Sequence, residues 1–117
     1  MARLSTHVLD TMRGTAAAGV RIEVHRIEDG IREPVAASLT NAHGRTDAPL
    51  LSGERLVTGV YELTFHVGSY FAQAGVALTS PPFLDEVVVR VGLADPAGDY
   101  HVPLLISPYG YSTYRGT

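Results

Sequence analysis

Apolar and polar residues alternate along most of this chain in short segments, and the breaks between segments are rich in Gly, Pro, Asn and Asp. Such alternation places successive side chains on opposite faces of a β-strand. In residues 20–27, for example, Val20, Ile22 and Val24 share one face. The same pattern predicts strands at residues 4–9, 20–27, 34–40, 55–57, 60–67, 86–93, 100–107 and 111–116. About eight strands in 117 residues predict an all-β fold, a two-sheet β-sandwich forming one domain over residues 1–117.

Residues 68–75 are the exception to the strand pattern. Tyr70, Phe71 and Ala74 share one face at helical spacing. Ser69 can cap the start of a helix, and Gly75 can end it. We therefore predict one short helix in this segment.

The predicted strand at residues 100–107 is apolar on both faces, with Val102, Leu104 and Ile106 on one and Pro103 and Leu105 on the other. A sandwich strand with one solvated face should instead alternate between apolar and polar residues. We therefore expect the second face to be covered too, most simply by another subunit.

Side-chain parity assigns two histidines to faces of this kind. His101 falls on the second face of its strand, and His7 shares a face of the first strand with Ser5 and Leu9. Tyr114 projects to one side of the last predicted strand. If these are the outer faces of one sheet, His7, His101 and Tyr114 project into a subunit interface.

Composition and charge exclude several classes of function. The chain has no cysteine for disulfides or thiolate metal sites, and its five histidines lack the close spacing of a zinc site. The net charge is -3, and the nine basic residues, all Arg, are scattered, so we expect no nucleic-acid binding. No apolar run approaches the ~20 residues of a membrane helix, and the N-terminus lacks a signal-peptide core. We expect a cytoplasmic protein that does not enter a membrane.

His7 and His101 are the main candidates for catalysis. Histidine titrates near neutral pH and can relay protons without a cofactor. The simpler interpretation is that they are unrelated strand histidines, hydrogen-bonded or solvated. His25, His43 and His66 lie on predicted polar faces or in a turn, and we interpret them as surface residues.

Other polar residues could bind a small ligand. Arg45 lies in the turn at residues 40–47, where an Arg is commonly a solvated charge, but its planar guanidinium also suits an anionic or carbonyl-rich ligand. Tyr114, Arg115 and Thr117 form either an ordinary strand edge or a hydroxyl-rich wall that binds a small polar heterocycle. The chain has neither a Gly-x-Ser-x-Gly motif nor a Gly-rich phosphate-binding motif.

The chain ends in Tyr114-Arg115-Gly116-Thr117, which resembles the Tyr-Arg-Gly-Ser signature of the 5-hydroxyisourate hydrolases of the transthyretin-like family. The opening segment at residues 4–10, the Gly-Arg-Thr-Asp turn at 44–47 and the predicted helix follow in that family's order. The resemblance therefore spans essentially the whole chain. Thr117 departs from it, because the family has Ser there; the hydroxyl is kept, and the added methyl stiffens χ1.

The resemblance implies a transthyretin-like β-sandwich that forms a homotetramer with active sites between subunits and uses no metal or organic cofactor. The implied reaction, a step of urate degradation, hydrolyses the cyclic amide of 5-hydroxyisourate to 2-oxo-4-hydroxy-4-carboxy-5-ureidoimidazoline. The implied site contains His7, Arg45, His101 and Thr117 as catalytic residues, with Tyr114 and Arg115 joining them in substrate binding. Either histidine could deprotonate the attacking water while Arg45 stabilises the oxyanion, and Tyr114 and Thr117 bind ring heteroatoms.

Two alternatives remain open from the sequence. A non-catalytic transthyretin-like carrier of small ligands would share the fold, and fold does not fix function. A carrier needs an apolar channel and no paired histidines, so the retained His7, Arg45 and His101 favour the enzyme. An adhesion or structural β-sandwich would leave these polar residues dispersed and without a role.

Overall fold

The computed structural model describes residues 2–117, which fold into two facing β-sheets. In chain order the elements are β1 (Arg3–Asp10), β2 (Thr15–Ala16), β3 (Arg21–Glu28), β4 (Ile31–Leu39), β5 (Leu51–Ser52), a 3-10 helix (Gly53–Arg55), β6 (Gly59–His66), α1 (Val67–Gln73), β7 (Glu86–Leu93), β8 (Asp99–Ser107) and β9 (Gly110–Thr113). The predicted all-β, two-sheet sandwich with one short helix is confirmed. The described residues form nine strands rather than about eight, since the two-residue strands β2 and β5 are too short to show alternation.

One connection between distant parts of the chain shapes the first sheet. This sheet has the order β2-β1-β8-β9, with β5 also paired to β1, and the second sheet has the order β4-β3-β6-β7. The neighbouring strands are antiparallel except β1 and β8, which run parallel from Arg3 opposite Asp99 to Asp10 opposite Ile106. The two ends of the chain therefore meet at the centre of one sheet.

Alternate residues of the strands fill the space between the sheets. The largest fully buried side chains are Tyr61, Phe65, Phe71, Leu4, Ile22, Leu51, Leu63, Leu104 and Ile106, with Val8, Val20 and Val24. Burial of each such Leu, Ile or Phe is worth roughly 1.5–3 kcal/mol. The core fixes strand register, because a one-residue slip would turn these side chains to the outside.

The outer face of the first sheet carries the residues that parity assigned to it. In β1, Ser5, His7 and Leu9 are half-buried while the intervening residues are fully buried. In β8, His101 and Leu105 are half-buried and Pro103 is buried between them. The prediction that both histidines lie on the outer face of one sheet is confirmed.

One predicted strand is absent, and the last predicted strand is shorter than expected. The short strand expected at residues 55–57 is absent, and the chain there forms the 3-10 helix Gly53–Arg55 followed by coil. Gly53 adopts a φ of 59°, which turns the chain away from the sheet after the true strand, β5. The last strand, expected at residues 111–116, ends at Thr113, and Gly116 returns to make an isolated antiparallel bridge with His101.

The predicted helix is present one or two residues earlier than expected. Ser69 lies inside α1 rather than capping it, and the capping position is taken by His66, whose side chain makes no capping hydrogen bond. Gly75 does end the helix: its φ is 82°, and the next amide, of Val76, donates to the Phe71 carbonyl at 3.0 Å. This is the Schellman arrangement that glycine favours after a helix.

A buried carboxylate joins the helix to the first sheet. The Asp10 side chain is fully buried and accepts hydrogen bonds from the Tyr70 hydroxyl at 2.7 Å and from Nε of Arg13 at 3.0 Å. The backbone amides of Met12 and Arg13 also donate to it, each at 3.0 Å. Burial alone raises the Asp10 pKa, but these hydrogen bonds and the Arg13 charge bring it below its usual value.

Candidate functional site

Side chains on the outer face of β1 and β8 form a ladder across the parallel pair. Arg3 lies opposite Asp99, Ser5 opposite His101, and His7 opposite Pro103. The Arg3 guanidinium donates to both oxygens of Asp99, at 3.1 and 3.2 Å, and this exposed pair holds the Asp99 pKa below its usual value. The ladder therefore runs from a charged end through two neighbouring histidines.

A tight loop before β5 brings Arg45 to this ladder. The Asn41 side-chain oxygen accepts the backbone amides of His43 and Arg45, at 2.9 and 3.2 Å, and Gly44 adopts a φ of 74°. The Gly44 carbonyl accepts the amide of Val8 at 2.8 Å, and a Cβ on Gly44 would lie 2.3 Å from the Val8 carbonyl oxygen. Only glycine fits this approach to β1. The loop thus packs beside His7, and Arg45, which follows Gly44 in the chain, is brought close to that ring.

The C-terminal tail reaches the ladder from the other side. The Gly116 amide donates to the His101 carbonyl at 2.8 Å. A Cβ on Gly116 would lie 2.6 Å from His101 Cδ2, so the tail backbone lies directly against the imidazole ring. This contact brings the last residue, Thr117, to the site.

One cavity of about 430 Å³ joins these parts. Arg45, His101 and Thr117 line it, and so do residues that sequence reasoning did not single out as site residues: Arg3, Ser5, Thr6, Thr46, Asp47, Ala48, Pro49 and Asp99. His7 is not part of the cavity wall and lies one ladder step beyond it. Its electrostatic coupling to Arg45 and His101 places it in the same local environment.

The surroundings favour the neutral form of both histidines. Burial lowers the pKa of His7, the Arg45 charge lowers it further, and a hydrogen-bonding contact with the His43 backbone opposes them. Burial also lowers the pKa of His101, as do the charges of Arg45, His7 and Arg3, against the opposing effect of Asp99. A neutral imidazole can accept a proton, so both rings are prepared for general-base chemistry at neutral pH.

Tyr114 and Arg115 lie apart from this cavity in the single chain. They line a neighbouring cavity of about 370 Å³ between the edges of the two sheets, which shares His101 with the first. The Arg115 guanidinium lies over the Tyr100 ring, 4.5 Å from its centroid, and Tyr114 is exposed. Of the six predicted site residues, five therefore line one or both of two adjoining cavities, and His7 lies on the ladder beyond the first of them.

The residues that the sequence analysis missed had a weak signal or none. Ser5 shares its face with His7, a parity relation that the sequence does reveal. Arg3 and Asp99 are 96 residues apart, and only the parallel register of β1 and β8 brings them together. Asp47 follows Arg45 by two residues in a turn rich in ordinary solvated charges.

Residues 2–117 contain neither a grouped set of metal ligands nor a membrane-spanning helix. No three side chains of His, Asp or Glu within this range are grouped so that they could hold a metal ion. No helix within it has the length and apolar character to cross a membrane.

The chain is similar to known proteins over nearly its full length. The sequence profile of the HIUase/Transthyretin family matches residues 4–116. 5-hydroxyisourate hydrolase 2 of Rhizobium meliloti is 53% identical over 115 residues, which cover 98% of this chain and 96% of that protein. The structure of Klebsiella pneumoniae 5-hydroxyisourate hydrolase superposes with a TM-score of 0.82 at 37% identity, covering 100% of both chains.

Fold similarity alone does not separate hydroxyisourate hydrolases from transthyretins, the two kinds of protein in the family's name. The crystal structure of transthyretin from Sparus aurata has a TM-score of 0.88 at 27% identity, covering 99% of this chain and 97% of that one. The TM-score is thus higher for the transthyretin, whereas sequence identity is higher for the hydrolases. The profile match and the full-length identity establish that the chain belongs to the HIUase/Transthyretin family.

Proposed function

We propose that this chain hydrolyses the cyclic amide of 5-hydroxyisourate to 2-oxo-4-hydroxy-4-carboxy-5-ureidoimidazoline. The observation that carries the proposal is the grouping of two histidines of lowered pKa with the Arg45 guanidinium beside one polar cavity. A relative with 53% identity over nearly its full length is named as a hydrolase of this substrate.

The reaction needs a nucleophile, a base and a site for the developing negative charge. The oxygen of a water molecule attacks the amide carbonyl carbon, and a neutral histidine accepts the water proton. Arg45 binds the carbonyl oxygen and stabilises its charge, after which the carbon–nitrogen bond breaks and the ring nitrogen receives a proton. General acid–base help of this kind is typically worth about 10²–10⁴-fold in rate. No cofactor takes part in these proposed steps.

We assign the base to His7 and the hydrogen-bond donor to the leaving nitrogen to His101. The His7 ring lies against the loop that carries Arg45, with its Cδ2 3.3 Å from where a Cβ on Gly44 would be, and burial lowers its pKa. The neutral ring can accept the proton of the attacking water. His101 lines the cavity, and its N–H can donate a hydrogen bond to the leaving nitrogen, which receives the proton that His7 took from the water.

The tail completes the site in a homotetramer. Thr117 lines the Arg45 cavity, where its hydroxyl binds a ring heteroatom of the substrate. Tyr114 and Arg115 act from the adjoining cavity that shares His101. Leu9 and Leu105 support active sites between subunits. Both are apolar side chains on the outer face of the first sheet that stay partly exposed in the single chain, and a second subunit would cover them. The cytoplasm is the compartment we propose for this reaction.

The test is the decay of freshly generated 5-hydroxyisourate, made with urate oxidase and followed by ultraviolet absorbance. We expect rapid decay with the wild-type protein, near-spontaneous decay with His101→Asn, and wild-type rates with the control His25→Asn, which lies on the second sheet. Decay no faster than the spontaneous rate with wild-type protein would refute the hydrolase proposal.

The second candidate, a small-ligand carrier, rests on the high structural similarity to Sparus aurata transthyretin. The cavity beside His101 argues against it, because its wall carries two Arg and two Asp side chains rather than an apolar lining. Calorimetric titration with small aromatic acids separates the two functions. Micromolar binding without catalysed decay of 5-hydroxyisourate would favour the carrier.

A further inference from the structure

One hydrogen bond ties the His101 ring to a residue outside the predicted set. Ser5 Oγ lies 2.9 Å from His101 Nδ1, and both side chains are partly buried. The register of β1 and β8 places the two residues directly opposite each other on one face. A contact between neighbours in the middle of a sheet is held by the backbone on both sides, so little side-chain freedom has to be lost to form it.

The opposite side of the imidazole is held by the tail. Gly116 is anchored by its amide to the His101 carbonyl, and its Cα side lies so close that a Cβ would be 2.6 Å from Cδ2 and 3.3 Å from Cγ of the ring. The ring is therefore confined between Ser5 at Nδ1 and Gly116 near Cδ2. This leaves Nε2 as the ring nitrogen available to a substrate.

The hydrogen bond at Nδ1 is compatible with either neutral tautomer, because the Ser5 hydroxyl can donate to a bare Nδ1 or accept from Nδ1–H. In a neutral imidazole one nitrogen donates and the other accepts, so Nε2 carries the proton when Ser5 donates to Nδ1. Within residues 2–117 the Ser5 hydroxyl makes no other side-chain hydrogen bond, so it is free to serve His101 alone. Without Ser5, both tautomers and a flipped ring become accessible.

We propose that Ser5 is a positioning residue whose hydroxyl donates to Nδ1, which holds the His101 ring in one orientation and keeps the proton on Nε2. The proposal rests on the proposed hydrolase function, in which this Nε2–H donates a hydrogen bond to the leaving nitrogen. Removal of a partner that orients a reacting histidine typically lowers activity by roughly 10–100-fold, as measured for metal-bound histidines.

The kinetic test compares Ser5→Ala, Ser5→Cys and Ser5→Thr with the wild-type protein in the 5-hydroxyisourate assay. We expect kcat to fall roughly 10–100-fold in Ser5→Ala and Ser5→Cys with KM little changed, since a thiol is a weak hydrogen-bonding group. Ser5→Thr keeps the hydroxyl and should retain most of kcat. The matched control, Ser38→Ala, removes a hydroxyl from β4 of the other sheet and should behave as wild type.

The split between kcat and KM separates positioning from direct binding, because Ser5 also lines the cavity. A higher KM at unchanged kcat would make Ser5 a substrate ligand and overturn the proposal. Equal losses in Ser5→Thr and Ser5→Ala would overturn it too, and thermal unfolding of each variant identifies losses that come from misfolding.

A spectroscopic test needs no substrate and so remains informative if the hydrolase proposal fails. The ¹⁵N shifts of the His101 ring at pH 8 should show one dominant tautomer in the wild-type and Ser5→Thr proteins and a mixture in Ser5→Ala. If the tautomer populations are unchanged in Ser5→Ala, Ser5 does not hold the ring. If the wild-type protein shows a single His101 tautomer but does not hydrolyse 5-hydroxyisourate, the hydrolase proposal is refuted and the positioning role of Ser5 stands.

Discussion

The contact between Gly116 and the His101 ring leads to a sharp prediction about the tail. In Gly116→Ala the new Cβ would lie 2.6 Å from His101 Cδ2, whereas carbon atoms pack at about 3.5–4.0 Å. The ring and the tail must therefore separate by about 1 Å. The Gly116 φ is not in the left-handed region, so the substitution adds no backbone strain of its own. The new Cβ would also lie 3.3 Å from His101 Cγ and from Pro103 Cγ, which are milder contacts.

A displacement of about 1 Å in a catalytic group can cost about 10²-fold in rate. We expect kcat/KM for 5-hydroxyisourate to fall by that order in Gly116→Ala. Stability should change by no more than about 1 kcal/mol, because one backbone hydrogen bond, from Gly116 to the His101 carbonyl, holds this part of the tail. The assay is the ultraviolet decay measurement, combined with chemical unfolding.

The matched control is Gly110→Ala at the start of β9. It adds the same methyl where the nearest atom is Ser107 Oγ at 3.7 Å, an ordinary contact, and where φ is also outside the left-handed region. This variant should keep wild-type activity. Full activity in Gly116→Ala, or an equal loss in both variants, would refute the argument that close approach of the tail positions His101.

Three further outcomes follow from the same structure. Asp10→Asn should lower the free energy of unfolding at pH 7 by about 1.5–3 kcal/mol, the typical contribution of a hydrogen bond to a charged group. Folding lowers the Asp10 pKa, so urea titrations should show the difference between wild type and variant shrinking as the pH falls below the ordinary value of 3.8. Thr117→Ser, which removes one methyl beside the cavity, should change kcat/KM by less than about threefold if the hydroxyl alone binds substrate, and a larger gain would show that the methyl obstructs the site. The pH profile of kcat/KM should be flat from pH 7 to 8 and fall in acid with an apparent pKa below 6.5, since His7 and His101 act as neutral groups of lowered pKa; an acid limb above pH 6.5 would contradict this assignment.

The alternation of residues was sufficient to predict the sandwich and the outward direction of both histidines. The inward residues of β8 are Tyr100, Val102, Leu104 and Ile106, and those of β1 include Leu4 and Val8, so parity fixes which side each neighbour takes. The same reasoning failed near residue 55, because Gly53 turns the chain into a 3-10 helix and the two-residue strand β5 is shorter than the pattern can detect.

The contacts within the site required the three-dimensional structure. Alternation gives the face of a residue, but not its neighbour across a strand pair that joins the two ends of the chain. Ser5 and His101, 96 residues apart, become partners only through the parallel register of β1 and β8. The return of Gly116 to His101 was hidden as well, because residues 111–116 carry the pattern of a continuous strand.

The distinction between a hydrolase and a carrier depends on this level of detail. The fold superposes on a transthyretin at least as well as on a hydrolase, so the arrangement of strands cannot decide between the two functions. What the strands provide is a rigid face on which the parallel register holds His101, opposite Ser5, and His7, opposite Pro103, on adjacent steps of the ladder. A docked loop with Gly44 at its tip and a tail with Gly116 against the ring then bring Arg45 and Thr117 to that face. Both additions depend on the absence of a Cβ at one position. Exchanging Gly116 for alanine should affect catalysis well before it affects the sandwich, whereas Gly44→Ala must also displace the β1 backbone at Val8 and should lower stability as well.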